Sequence, residues 1–267
     1  MGTAVLVLVV ALYAAVATAY LEARRRREAP PAWARLVGPV AVAAHLLGLI
    51  ALGQQIQRSP FATTSQALSF LAFSLVALYL VLEATSRVAT HGGGFYAAAA
   101  LLAAVSVPGL IEQGPAALHV SHDSLRAFHI GLALMGTAAV FAGGLLAGGY
   151  LGQYRRVKHG TLKGGAEGPS LRGFERLVRR ASFLGVLLLL PALVLGVLTV
   201  RQPEPPPGAA LLTLAMAICF VLVAVAGWLW WRRPLHGRFA AWMNLAALVV
   251  IVLTFLLVHP LVIAGRG

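Results

Sequence analysis

The stretch His119–Tyr150, HVSHDSLRAFHIGLALMGTAAVFAGGLLAGGY, decides the fold class. Three of the chain's eight histidines, His119, His122 and His129, fall in its first eleven residues. After Arg126 no charged side chain appears until Arg155. An apolar run of about 20 residues, at roughly 1.5 Å per residue, crosses the hydrocarbon of a bilayer as a helix. This run is long enough to do so. Polar groups at the mouth of a membrane span are costly to keep there, so the histidines raise a functional question.

Working outward, the rest of the chain has the same character. Of its 267 residues, 60% are hydrophobic and 11% charged, whereas a soluble domain carries about 25% charged residues. The expected fold class is therefore all-α: one polytopic membrane bundle spanning residues 1–267. Eight spans are expected, at about 3–21, 36–56, 66–84, 94–111, 126–151, 181–200, 208–231 and 239–262. The fourth span is padded with alanine and contains Pro108, which should loosen the helix near its end. The first is not read as a signal peptide, because its positive charges, Arg24 to Arg27, follow the apolar run.

Charge sets the expected orientation. With the N-terminus outside, the segments 22–35, 85–93, 152–180 and 232–238 face the cytoplasm and hold 17 of the 21 lysines and arginines. Both termini then lie on the non-cytoplasmic side. The net charge of +13 is a basic membrane face that attracts anionic lipid, and no nucleic-acid partner is expected. The plasma (inner) membrane is the expected location. The longest loop, near 152–180, is glycine-rich and read as flexible, except for its end. There Leu171, Phe174, Leu177 and Val178 recur at helical spacing, which predicts an amphipathic lead-in to the sixth span. The pairs Gly143-Gly144 and Gly148-Gly149 lie inside a span and read as close helix packing. The single cysteine, Cys219, rules out an intrachain disulfide and reads as a small apolar residue.

This topology sorts the histidines. His91, His159 and His236 fall in cytoplasmic segments and read as solvated. His129 opens the fifth span at its outer end, and His259 lies near the outer end of the eighth; His45 sits near the middle of the second. Imidazoles from two spans at one membrane level could clamp a haem iron, which makes His129 and His259 the leading pair. His119 and His122 are supporting candidates in the loop, and any one histidine alone is more often structural. No HExxH motif is present and His119-x-x-His122 lacks further ligands, so no catalytic residues and no metal beyond haem iron are expected.

Several segments together resemble the cytochrome c assembly membrane family, the CcsA/ResC-like haem-handling proteins, and in particular their small HemX/YpjD-like branch. They are His45-Leu46-Leu47-Gly48-Leu49, Ser59–Glu83, Phe128-His129-Ile130-Gly131-Leu132-Ala133-Leu134, Phe174-Glu175-Arg176-Leu177 and Gly237-Arg238-Phe239-Ala240-Ala241-Trp242. The resemblance implies haem as cofactor, handled at the outer face in support of cytochrome c biogenesis, with a maturation partner. By position it matches His129 to an external ligand and His45 to an intramembrane one. The family's tryptophan-rich WWD segment has no counterpart between the sixth and seventh spans, where the chain holds Arg201–Gly208. Trp228, Trp230 and Trp231 at the end of the seventh span read instead as an aromatic belt.

The chain is accordingly read as a haem-binding or haem-translocating assembly factor, not an enzyme. One alternative is a membrane-bound regulator or partner of haem-biosynthesis enzymes without its own haem site, using the basic loops. Another is a solute transporter, which the near absence of acids within the spans disfavours, Glu83 and Glu112 lying near span ends.

Overall fold

A computed structural model of the chain describes residues 2–26, 28–56, 63–86, 92–111, 124–160, 170–199, 209–232 and 237–254. The described residues form eight helices: α1 Gly2–Arg26, α2 Ala32–Ile56, α3 Thr64–Ser86, α4 Gly92–Ile111, α5 Ser124–Lys158, α6 Leu171–Thr199, α7 Ala209–Arg232 and α8 Gly237–Leu253. No strand occurs among them. Helices are what lipid demands, because only intra-segment hydrogen bonds satisfy the backbone where no water can. Seven are long and apolar enough to cross a membrane, and α8 is a shorter apolar helix as far as it is described. Each coincides with one of the expected spans.

Local chemistry sets several helix ends. Thr63 and Gln66 form a capping box at the start of α3: the Gln66 amide donates to Thr63 Oγ1 at 3.3 Å, and the Thr63 amide donates to Gln66 Oε1 at 3.2 Å. Ser170 caps α6, accepting the Gly173 amide at 3.2 Å. The amphipathic lead-in is thus the first part of α6 itself: Phe174, Leu177 and Val178 are buried, while Arg172, Arg176, Arg179 and Arg180 are exposed. At its C-terminal end α5 runs past the expected span. It continues through Arg155, Arg156 and Lys158 and stops in a turn with Gly160 at φ 63°, the left-handed conformation that glycine adopts without penalty. The expected loop at 152–180 is shorter for this reason. Pro39, Pro108 and Pro191 lie inside continuous helices. α4 carries on through Pro108 to Ile111.

The chain divides into two compact units, the first built mainly from residues 1–138 and the second mainly from residues 139–267. In the first unit, α1 packs on α2 and α4, and α3 packs on α2 and α4. Leu6, Leu49, Leu52 and Leu110 form an apolar cluster with Phe70 and Phe73 at one end. The other end carries Arg24, Arg25, Arg26 and Arg35 and is called the basic end below.

The second unit has a core of Val140 from α5, Leu189 from α6, Cys219 and Val223 from α7, and Ala247 and Ile251 from α8. Cys219 is a packed apolar residue there, its thiol 3.4 Å from the Ala247 carbonyl. A Cβ on Gly144 would approach Leu248 to 2.6 Å, so the glycine lets α5 close on α8. A buried polar pair lies inside: Ser182 Oγ donates to Asn244 Oδ1 at 2.9 Å, and Asn244 Nδ2 donates to the Ala240 carbonyl at 2.9 Å.

The tryptophans at the end of α7 do not behave as one belt. Trp228 and Trp231 are 57% and 77% exposed, as an aromatic belt requires, but Trp230 is 2% exposed. It stands edge-on to Tyr150, ring centroids 5.5 Å apart, and is a core residue of the second unit. A one-residue step along a helix turns a side chain by about 100°, which is why neighbours in sequence part ways here.

Candidate functional site

Buried polar groups in a membrane bundle mark the place to look for function. In the first unit they converge on His45. This residue is 0% exposed near the middle of α2. Its Nδ1 lies 3.1 Å from the Tyr13 hydroxyl of α1, and its Nε2 lies 2.9 Å from Ser69 Oγ of α3. The rings of Tyr13 and Phe73 flank it, with centroids 5.6 and 6.0 Å away. Both ring nitrogens are therefore engaged. A neutral imidazole donates from one nitrogen and accepts at the other, and Tyr and Ser hydroxyls can serve either role. This pairing is what makes an imidazole tolerable at this depth.

From Tyr13 the polar column runs toward the basic end. The Tyr13 ring meets Tyr96 of α4 edge-on at 5.9 Å. Tyr96 in turn packs on Tyr20 of α1 and Tyr79 of α3, each 5.7 Å away between ring centroids. The Tyr20 hydroxyl donates to Glu83 Oε1 at 3.2 Å, and Tyr79 hydrogen-bonds with both Tyr20 and Glu83. Glu83 lies in the last turn of α3, and Arg35 of α2 acts on it electrostatically. The column thus draws on α1, α2, α3 and α4. Two glycines make it fit. A Cβ on Gly92 would stand 2.6 Å from both the Tyr20 ring and the Tyr79 hydroxyl, and a Cβ on Gly38 would collide with the Tyr96 hydroxyl.

Of the histidines singled out in the sequence, His45 and His129 are placed. His129 sits in the second turn of α5 and is partly buried. His259, His119 and His122 lie outside the described residues. Among the described residues, no three His, Cys, Asp or Glu side chains gather where they could hold a metal ion. Sequence reasoning placed His45 but missed the tyrosines. Their signal was present as spacing: Tyr13 and Tyr20 are seven apart on α1, and Tyr79 and Glu83 four apart on α3, each pair on one helix face.

The family model for "Cytochrome C assembly protein" matches residues 33–263 of the chain. The chain belongs to the cytochrome c assembly family. Comparison with curated proteins and with solved structures gave no match. Membership of the cytochrome c assembly family supports a role in cytochrome c biogenesis for this multi-pass membrane protein, and the family is associated with haem handling. Haem iron needs an imidazole nitrogen free to bind it, commonly with the other nitrogen held by a hydrogen bond. His45 as packed offers none: Tyr13 and Ser69 hold both nitrogens, and two aromatic rings stand beside it. Iron ligation there requires one of those hydroxyls to give way.

Proposed function

We propose that this member of the cytochrome c assembly family binds or passes haem at the outer face of the plasma membrane, in support of cytochrome c biogenesis. The family match over residues 33–263 carries this reading. His129 is the proposed iron ligand on α5, and His259 is the second ligand proposed from the sequence. Two axial imidazoles would bind haem tightly enough to carry it without chemistry of the protein's own, since the haem supplies the redox-active iron. Membrane lipid, haem and a cytochrome c maturation partner are the corresponding partners. His45 has a different place in this scheme: with both nitrogens occupied, it reads as part of the polar interior first and as an iron ligand only after Ser69 or Tyr13 moves.

An absorbance spectrum tests the proposal. The purified full-length protein is expected to carry a Soret band. His129→Ala and His259→Ala should each weaken or shift it, and the double substitution should remove most of it. An unchanged band in the double variant would eliminate these two histidines as the ligands.

A further inference from the structure

Two helices carry arginines close together, and they arrange them differently. On α1, Arg24, Arg25 and Arg26 are consecutive and exposed. At about 100° per residue they fan over about 200° of the helix. Acids stand among them, and Arg26 Nε donates to Glu22 Oε1 at 2.8 Å. On α6, Arg172, Arg176 and Arg179 are exposed and stand four and then three residues apart. That spacing keeps them within an arc of about 60° on one face. Among the described residues none of these three takes part in an ion pair or hydrogen bond. Glu175 is partly buried to one side of the stripe and acts electrostatically on Tyr150 of α5. Like charges at such spacings repel one another, so the stripe is unfavourable until an anion lies on it.

The same face continues toward the other end of α6. Phe183, Leu187 and Leu190 follow on it at four, four and three residues from Arg179, and all three are exposed. The helix is also longer than hydrocarbon alone requires. Its 28 residues Leu171–Leu198 rise about 42 Å at 1.5 Å each, against about 30 Å of hydrocarbon and about 40–45 Å with both headgroup layers. Its uncharged run begins at Ala181. The arginines therefore match the headgroup depth, and Phe183, Leu187 and Leu190 match the depth of the acyl chains.

We propose that this face of α6 binds a single anionic phospholipid, its phosphate held by Arg176 and Arg179, with Arg172 at the outer edge of the headgroup and an acyl chain along Phe183, Leu187 and Leu190. A guanidinium offers phosphate oxygens two parallel N–H donors. Its long stem lies along apolar surface while the charge stays in the polar layer. A free phosphate or an acidic peptide would use the arginines and leave the apolar track uncovered, which is why the occupant is a lipid. General attraction of anionic lipid to a basic membrane face belongs equally to α1. The site belongs to α6, where the cations converge, lack acidic partners and lead into an apolar track. None of these residues belongs to the proposed His129/His259 pair, so failure of one proposal leaves the other standing.

Native mass spectrometry tests the site. The full-length protein in a neutral detergent is titrated with dioleoylphosphatidylglycerol or with dioleoylphosphatidylcholine, which share their acyl chains and differ in headgroup charge. One molecule of the anionic lipid is expected to stay bound at concentrations where phosphatidylcholine is lost. Arg176→Gln should weaken that binding by about fivefold, the contribution of one basic residue beside anionic lipid. Arg172→Gln, Arg176→Gln and Arg179→Gln together should weaken it by about tenfold or more. All three side chains are exposed, so the variants should fold. Arg24→Gln, Arg25→Gln and Arg26→Gln together remove the same charge from α1 and should leave the lipid in place. Equal loss in the two triple variants, or unchanged binding in the α6 variants, overturns the site. So does displacement of the lipid, at constant ionic strength, by inorganic phosphate or by a poly-glutamate peptide, which would assign the arginines to a soluble anion or to an acidic partner.

Discussion

At the scale of single residues, a buried polar side chain is stable where another answers it. Asn244 and Ser182 are both fully buried in the second unit and satisfy each other, with Gly143 close enough that a Cβ there would sit 3.0 Å from Asn244 Oδ1. Removing one partner strands the other where water cannot reach it. Asn244→Ala is expected to cost about 1–3 kcal/mol, read as a lower unfolding midpoint in detergent. The double variant Asn244→Ala with Ser182→Ala should cost less than the sum of the singles, because the second substitution removes the stranded hydroxyl. His45 follows the same rule with two partners instead of one, which is why its burial alone did not announce a ligand site.

At the scale of elements, close approach depends on where a side chain is missing. The start of α4 is GGGFY, and its three glycines are not equivalent. Gly92 faces Tyr20 and Tyr79 at a distance a Cβ cannot share, whereas nothing lies within 4 Å of Gly94. Gly94→Ala should therefore be neutral or stabilising by roughly 0.5–1 kcal/mol, through lower chain entropy in the unfolded state. Gly92→Val should destabilise by about 1–3 kcal/mol, as overpacking does, because α4 must move off α1 and α3. Thermal unfolding of the two variants separates them, and equal midpoints would contradict the packing described. The same argument explains α5. It runs past the expected span 126–151, because a helix can carry Arg155, Arg156 and Lys158 beyond the apolar run so long as its backbone bonds continue.

At the scale of the whole molecule, orientation is an electrostatic matter that the charges decide collectively. With 17 of 21 cationic residues in alternate segments, the positive-inside rule predicts that those segments face the cytoplasm. Lys163→Cys tests this directly. Cys219 is the chain's single cysteine and is buried, so the native background should be low. In intact cells the new thiol should resist a membrane-impermeant maleimide and react only once the membrane is opened. Labelling of intact cells would invert the topology and move His129 to the wrong side for the proposed outer-face role.

The eight helices were legible in the sequence because lipid imposes a one-dimensional rule: about 20 apolar residues, with every backbone bond satisfied inside the segment. The family was legible because its motifs stand in order along the chain. The helix face on which a residue lies was only half legible. Phe174, Leu177 and Val178 declared theirs by spacing, but Trp230 did not, since apolar neighbours on both sides of a membrane helix hide which face is inner. What only the tertiary structure decided is which polar groups meet. Tyr13, Tyr20, Tyr79, Tyr96, Glu83 and His45 come from four helices whose mutual rotation no local pattern records. Burial in a low-dielectric interior forces such groups together, because each must find a partner or bear the full cost of lost water.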